Sequence, residues 1–269
     1  MHIDTLLNSV KQQTKTKDGI ITLSVDSNWA QGRTLYGGIS ASLVYQAMRE
    51  VVDSDKVLRT LNTNFIGPIA SDSEFRITVE ILREGKNVTQ VVGRLLQDNK
   101  VAVTSQGSFG MARESKIHVS NHLQHNMDYP RKPDFMPVIP KVTPKFLGHF
   151  EQAKTKGGWP FTGKKDSNIH GWMRFKKQPS DFSDAHLVAL IDIWPPTVLQ
   201  MLRWPAMAST MSWNLEFIHP HQEASGNDWF AYQAQTKHAD DGYANTEANI
   251  WDNQGTLVAI SRQVVAVFA

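Results

Sequence analysis

The chain has 269 residues, 41% of them hydrophobic and 20% charged, which is enough apolar material for one large domain or two of ordinary size and excludes a disordered chain. Its 28 basic and 26 acidic residues leave a net charge of +2, so no charge excess argues for a nucleic-acid backbone or an anionic membrane surface as a partner. The absence of cysteine excludes a disulfide framework, a thiolate zinc site, a Cys nucleophile and a redox CxxC motif in one step.

The N-terminus runs Met1-His2-Ile3-Asp4-Thr5-Leu6-Leu7, meets Lys11, Lys15, Lys17 and Asp18, and does not reach the apolar run of a secretory signal. No stretch attains the ~18 uninterrupted apolar residues of a membrane span. A soluble, cytoplasmic protein is therefore expected. Gly37-Gly38 leads into the best helical pattern of the first half, Ser40 to Val52, with Leu43, Val44, Ala47, Met48 and Val51 at helical spacing. The glycines permit close backbone approach, and the free N–H groups of the helix they open can polarise a carbonyl or hold a phosphate. A tight strand-to-helix turn is an equal reading of the same pair. The strand ending Phe65-Ile66-Gly67-Pro68 comes next, and then a hairpin whose residues 85 to 106 alternate around a polar turn at Gln97 to Lys100.

Residues 112 to 143 are polar, carry Pro130, Pro133, Pro137 and Pro140, and show little periodicity, which reads as a linker. His118, His122 and His125 within it have helical i, i+4, i+7 spacing suited to a metal, but nothing around them supports a helix, and a solvated segment is the expectation. Gly158-Trp-Pro-Phe-Thr-Gly163-Lys164-Lys165 nearly spells a phosphate-binding loop. Lys165 stands where magnesium needs Ser or Thr, and Pro160 removes a cradle amide, so a nucleotide site is set aside. The second helix, Ala185 to Asp192, carries Leu187, Val188, Leu190 and Ile191; Pro195-Pro196 then breaks or restarts it before Val198 to Leu202.

The segments beyond this helix repeat those beyond the first. Phe217-Ile218-His219-Pro220 matches Phe65-Ile66-Gly67-Pro68 at an offset of 152, and residues 242 to 263 match 85 to 106 at 157. That alignment pairs Gly242 with Gly85, Thr246 with Thr89, Ala259 with Ala102 and Gln263 with Gln106. Each half thus reads strand, helix, then three or four strands, which is an α+β layer arrangement rather than alternating βαβ units. No Gly-x-Ser-x-Gly elbow and no Gly-x-Gly-x-x-Gly fingerprint occurs, which weakens a serine hydrolase and a dinucleotide enzyme.

Four segments, Leu35-Tyr36-Gly37-Gly38, Leu58 to Pro68, Ile81 to Lys86 and Gly255 to Ala259, together with the order of elements from Ile20 to Phe268, resemble the TesB-type acyl-CoA thioesterases, a double hotdog in one chain. The resemblance implies two tandem hotdog units, each a long helix wrapped by a curved antiparallel sheet: an N-terminal unit at 1–111, a linker at 112–143 and a C-terminal unit at 144–269. It also implies an acyl-CoA substrate, a homo-oligomer, and no metal or other cofactor. Carried over one at a time, the family's catalytic Asp falls on Asp192, its Thr on Thr210 and its Gln on Gln263. Ser209 or Ser212 would serve in place of Thr210 after a shift of one or two positions.

The chemistry fits those residue types. Thioester hydrolysis needs a water aimed at the carbonyl carbon, a base for its proton and donors for the oxyanion. Asp192 lies among Leu190, Ile191, Ile193 and Trp194, where desolvation raises a carboxyl pKa toward the working range; capping of exposed amides is the competing role for a helix-terminal Asp. Thr210 and Gln263 are neutral and can hold a water or the thioester oxygen without competing for its proton. Gly37 and Gly38 are candidate substrate-binding positions. Gln106 has no Asp partner, because the position 157 residues before Asp192 is Leu35, so the halves are expected to differ, with one active site per chain. Most of the eight tryptophans are expected in the core or at the rim of the sheet-helix layers, with room for one or two to line an acyl tunnel. Met201, Met207 and Met211 suit an adaptable apolar pocket or a gap-filling place in the core. Two other readings accompany hydrolysis. One is a hotdog acyl-CoA hydratase or dehydratase, which needs a His such as His186 paired with the acid; the other is a non-catalytic acyl-CoA binding module.

Overall fold

A computed structural model of the chain describes residues 1–14, 20–134 and 143–269. Lys15, Lys17, Asp18, Pro137 and Pro140 lie outside the described residues.

The chain opens with α1 (Ile3–Thr14), whose Ile3, Leu6, Leu7 and Val10 recur at i, i+3, i+4 and i+7 and are buried. The N-terminus is thus an amphipathic helix packed on the body of the protein, an element that the absence of a signal sequence does not disclose. After β1 (Ile21–Ser24) comes a small hairpin of β2 (Ala30–Gln31) and β3 (Thr34–Leu35), turned by Gly32 at positive φ. It delivers the chain to α2 (Gly37–Arg49), which is buried everywhere but at its two ends. This helix starts three residues before the expected Ser40 and stops three before Val52. The early start is tolerated because first-turn N–H groups lack helical partners in any case. The early stop is fixed by Arg49, whose guanidinium holds the carbonyls of Val52, Asp53 and Lys56 in the turn beyond it.

Four strands complete the first half: β4 (Lys56–Phe65), β5 (Glu74–Glu84), β6 (Val88–Gln97) and β7 (Lys100–Met111). The second half has β8 (Phe150–Lys156), β9 (Asn168–Phe175), α3 (Asp184–Ile191), a 3₁₀ turn at Thr197–Met201, and then β10 (Met207–Phe217), β11 (Phe230–Asp240), β12 (Tyr243–Trp251) and β13 (Leu257–Phe268). All these long strands join one antiparallel sheet in the order β1-β5-β6-β7-β4-β10-β13-β12-β11-β9-β8. The halves present the same order outward from a shared seam between β4 and β10, where Leu61 pairs with Leu215 and Thr63 with Trp213. The α+β double-hotdog expectation holds, with the two sheets fused edge to edge around the helices.

Helices α2 and α3 pack against each other. Tyr36 Oη donates to the carbonyl of Ala189 (2.9 Å) and Ser42 Oγ to that of Ala185 (2.6 Å), so each tie joins one half to the other. Helix α3 has only eight residues, and the Pro195-Pro196 pair accounts for its short run.

The duplication is real, but its register differs by one residue from the sequence alignment. Ser105 faces inward and bonds Thr63; its counterpart is Ser261, which accepts from Trp213 Nε1. Ser105 pairs with Thr63 as Ser261 pairs with Leu215, which sets the closing strands 156 residues apart, not 157. Strand side chains alternate between faces, so a one-residue slip moves every match to the wrong side. The inward mate of Gln263 is therefore Gly107, while Gln106 is exposed and bonds only Gln90. A bulge also repeats at an offset of 152, between Leu58 and Thr60 on β4 and between Thr210 and Ser212 on β10. Where the second half carries Thr210 and Gln263, the first half carries Leu58 and Gly107.

Residues 112–134 form neither helix nor strand beyond one bridge from Asp134 to Ala153, so His118, His122 and His125 share no helix face. His125 instead packs edge-on against Trp172 and Trp251, and Trp251 Nε1 donates to the carbonyl of Leu123. No group of residues able to hold a metal occurs among the described residues, and no helix there is long and apolar enough to cross a membrane.

Candidate active site

A cavity of about 730 Å³ opens between the helices and the seam side of the sheet. Its walls come from both halves. The first half contributes Leu35, Gly37, Phe65 and Ile69, and the second contributes Trp159, Phe161, Trp194, Leu199, Ala206 and Ala208. The mostly apolar lining with a few convergent polar groups is the form of a small-molecule site.

Asp192 is the carboxylate in this wall. It is the residue that caps α3 at its C-terminus, with φ −85° and ψ 6°, so the helix ends by turning its side chain toward α2. Gln263 Nε2 donates to Asp192 Oδ1 at 2.8 Å, and Thr210 Oγ1 donates to Gln263 Oε1 at 3.4 Å. The three expected catalytic residues therefore form one chain of bonds, from β10 through β13 to the end of α3. Ser209 borders the cavity without joining that chain, and Ser212 borders a separate groove with Asn62, Asn64 and Arg262.

Burial pushes the Asp192 carboxyl up to about 7, against the hydrogen bonds from Gln263 and from the Gly38 N–H, which favour the charged form. Those donors are neutral, so desolvation wins. The Asp192 charge acts back on two buried phenols: burial first, and Asp192 second, raise both Tyr36 and Tyr232 well above the ordinary tyrosine range. Tyr232 stacks on the cavity-lining Trp194 with ring centres 5.7 Å apart.

Gly37 and Gly38 prove to be part of the carboxylate's own setting. A Cβ on Gly37 would lie 3.0 Å from Asp192 Oδ2 and 3.2 Å from the Phe65 ring. A Cβ on Gly38 would sit 2.5 Å from Tyr36 Oη, and its N–H is engaged by Asp192. The glycines thus let the first turn of α2, with the positive end of its dipole, close onto an acid from the other half.

Other expectations are redistributed. His186 donates from Nε2 to Asp4 (3.0 Å) and accepts at Nδ1 from Ser183 N–H (3.1 Å); it fastens α1 to α3 and does not line the cavity. Met201, Met207 and Met211 are neither pocket nor core but exposed: Met207 alternates with the inward Ala208, and Met211 is the bulged residue. Of the tryptophans, Trp159 and Trp194 line the cavity, five others are buried, and Trp204 is 82% exposed. The segment that nearly spells a phosphate loop lines the cavity with Trp159, Pro160 and Phe161, the last held at φ +66°. No sequence signal marks these wall residues, since their role depends on where the loop folds back.

Two family models match the chain, one described as the acyl-CoA thioesterase N-terminal domain over residues 25–110 and the other as the acyl-CoA thioesterase C-terminal domain over 125–267. Among solved structures the chain is similar to a hot dog fold protein of unknown function from Alicyclobacillus acidocaldarius, at 21% identity and a TM-score of 0.79, covering 95% of each chain. It is also similar to the tesB protein of Mycobacterium avium subsp. paratuberculosis (15% identity, TM-score 0.76, 99% and 100% covered). The acyl-CoA thioesterase II of Mycobacterium marinum is a further likeness (18%, 0.73, 100% and 98%). At these identities the structures speak for the fold. No curated protein sequence matches.

Proposed function

The chain belongs to the acyl-CoA thioesterase family, and from that premise we propose that it hydrolyses acyl-CoA thioesters to CoA and the free acid, with Asp192 as the base. The observation that carries this reading is a buried carboxyl with its pKa near 7, in the wall of an apolar cavity and held by an amide that a threonine hydroxyl bonds in turn.

A general base works best when its pKa lies near the operating pH, because it is then ionised and still basic enough to take a proton. Asp192 removes a proton from water as the water attacks the thioester carbon. Gln263 fixes the carboxylate through Nε2, and Thr210 fixes Gln263. The first turn of α2 turns the positive end of its dipole toward the site, where it favours the negative charge that develops on the carbonyl oxygen. Collapse of the tetrahedral intermediate breaks the carbon–sulfur bond, and the proton held by Asp192 passes to the departing thiolate. The acyl chain occupies the apolar cavity.

The test is release of free CoA thiol from short, medium and long acyl-CoA esters by the parent and by Asp192→Asn. Turnover by the parent that falls at least about a hundredfold in the variant, roughly 2.7 kcal/mol of transition-state stabilisation, is the expected result. Turnover that survives the substitution overturns the role of Asp192, and a parent inert on every ester overturns hydrolysis.

A further inference from the structure

Phe161 stands in a backbone conformation that its side chain does not explain. Its φ is +66°, and the other described non-glycine residues at positive φ are Asp72, Asp98, Asn99 and Asp241. Aspartate and asparagine visit the left-handed region because a short polar side chain bonds locally there. A phenylalanine has no such bond to make, and a bulky residue at positive φ is a strained one that the surrounding structure must hold in place. Three backbone bonds hold it: Phe161 N–H to the Leu199 carbonyl (2.9 Å), Gly163 N–H to Leu202 (2.9 Å) and Lys164 N–H to Gln200 (2.8 Å). The buried Gln200 side chain adds to them, accepting from the Gly158 N–H and donating to the carbonyl of Asn168. The loop is thus laced to the 3₁₀ turn and its exit on both sides of the strained residue.

What the strain secures is the place of the ring. Phe161 lines the cavity and packs on the cluster of Val198, Leu199 and Ala244, and Ala208 does both as well. Ala208 and Thr210 lie two residues apart on the same face of β10 and both line the cavity, so one wall runs from Thr210 over Ala208 to Phe161. The two sides of the cavity differ in chemistry. Beyond Thr210 the wall is apolar, with Ala206, Ala208, Leu199 and Phe161, whereas the first-half wall sets Gln31 and Thr34 among its residues. An aliphatic tail is best placed along the second-half wall, where it desolvates no polar group. The bulk that meets it there, beside two small alanines, is the Phe161 ring.

We propose that Phe161 sets the acyl length this chain accepts: its ring, fixed by a strained and hydrogen-bonded backbone, limits the apolar run that leaves Thr210 over Ala208, and straight chains long enough to reach it are turned away. The proposal rests on the thioesterase reading for its direction, since that reading puts the thioester carbon at Asp192 and the tail along the apolar wall. A hydrophobic pocket discriminates one methylene by about 10- to 200-fold, so a ring that cannot yield gives a sharp limit. A side chain on a loose loop would move aside for a longer tail. This loop moves only by breaking the bonds to Leu199, Gln200 and Leu202.

Calorimetry with straight-chain carboxylic acids, from butanoate to dodecanoate, tests the wall without any turnover. The parent is expected to show a length beyond which affinity falls at least about tenfold, and Phe161→Ala and Phe161→Gly are both expected to move that limit to longer chains. Release of CoA from the matching acyl-CoA series forms the second arm, with the same shift in kcat/KM. Melting temperatures separate strain from bulk. Phe161→Gly should melt about 2 °C or more above Phe161→Ala, because glycine alone is unstrained at this φ; in a loop at negative φ the order is the reverse. A limit unmoved in both variants, a loss spread evenly over all lengths, or no acid bound by any of the three proteins overturns the role of Phe161. A melting temperature for Phe161→Ala at or above that of Phe161→Gly overturns the strained placement on which that role stands. A shifted binding limit beside a parent inert on every ester overturns the thioesterase reading and keeps Phe161 as the gauge of length.

Discussion

Gly37 and Asp192 come from helices of opposite halves, and the carboxylate oxygen Oδ2 lies 3.0 Å from the point a Cβ on Gly37 would occupy. The acid therefore depends on a missing methyl. Gly37→Ala raises helix propensity, which by itself stabilises a helix by up to about 1 kcal/mol. Here it is expected to push Asp192 or Phe65 aside and lower kcat/KM by at least about tenfold, since small displacements of a positioned group are expensive in rate. Gly148→Ala, where nothing lies within 4 Å, is the control and should leave turnover unchanged.

The same acid leaves a signature in stability. Its carboxyl is raised from 3.8 to about 7 on folding, so between those values the native protein holds a proton that the unfolded chain releases. Stability therefore falls as pH rises through that window and levels off above about 7. At 1.36 kcal/mol per unit the loss amounts to roughly 4 kcal/mol at most. Asp192→Asn removes the ionisation and keeps the acceptor for Gln263. Its melting temperature should exceed the parent's at pH 8 and match it near pH 4; a gain independent of pH would show that desolvation of the charge is not the cause.

The rate should track the same group. With Asp192 as base, kcat is expected to rise with pH through a single ionisation near 7 and then level off. The bond from Gln263 favours the charged carboxylate, so Gln263→Leu should move that midpoint upward as well as lower the plateau. A lower plateau with an unmoved midpoint would mean that Gln263 acts elsewhere.

Asp4 is the hinge pin of the N-terminal helix. Its carboxylate accepts from the Ser180 N–H (2.9 Å), the Ser180 hydroxyl (2.8 Å) and His186 Nε2 (3.0 Å). Asp4→Ala should destabilise the protein by about 1–3 kcal/mol in urea unfolding and leave kcat/KM within about twofold, because none of these partners lines the cavity.

Much of this architecture is legible as pattern. Phe65 and Phe217 each end their strand, and the tandem helix-then-strands order emerges from repeats alone. The register of the repeat is not legible, since Gln106 and Gln263 match in type yet lie on opposite faces of their strands. A polar residue scores the same in an alignment whichever face it takes, and a pleated strand makes that one step decisive. Helix α1 carries its signal in Ile3, Leu6, Leu7 and Val10, an amphipathic stripe that a search for targeting segments does not weigh. Asp192, Thr210 and Gln263 can be named from the resemblance to the TesB-type thioesterases, whereas the link between them is a tertiary fact: 71 residues separate Asp192 from Gln263. The exposure of Met207 and the inward turn of Ala208 come from strand parity, which hydrophobicity alone would invert.

The seam between β4 and β10 has a consequence for dissection of the chain. Severed after β7, the polypeptide would become two fragments, each with an unsatisfied strand edge and one with the acid but not the glycines that admit it. Neither fragment alone would hold the proposed site complete, while reassociation along Leu61 and Leu215 would restore both the hydrogen-bond ladder and that site. Catalysis by such a split pair would be second order in fragment concentration, and hydrolysis itself would report the docking of one half on the other.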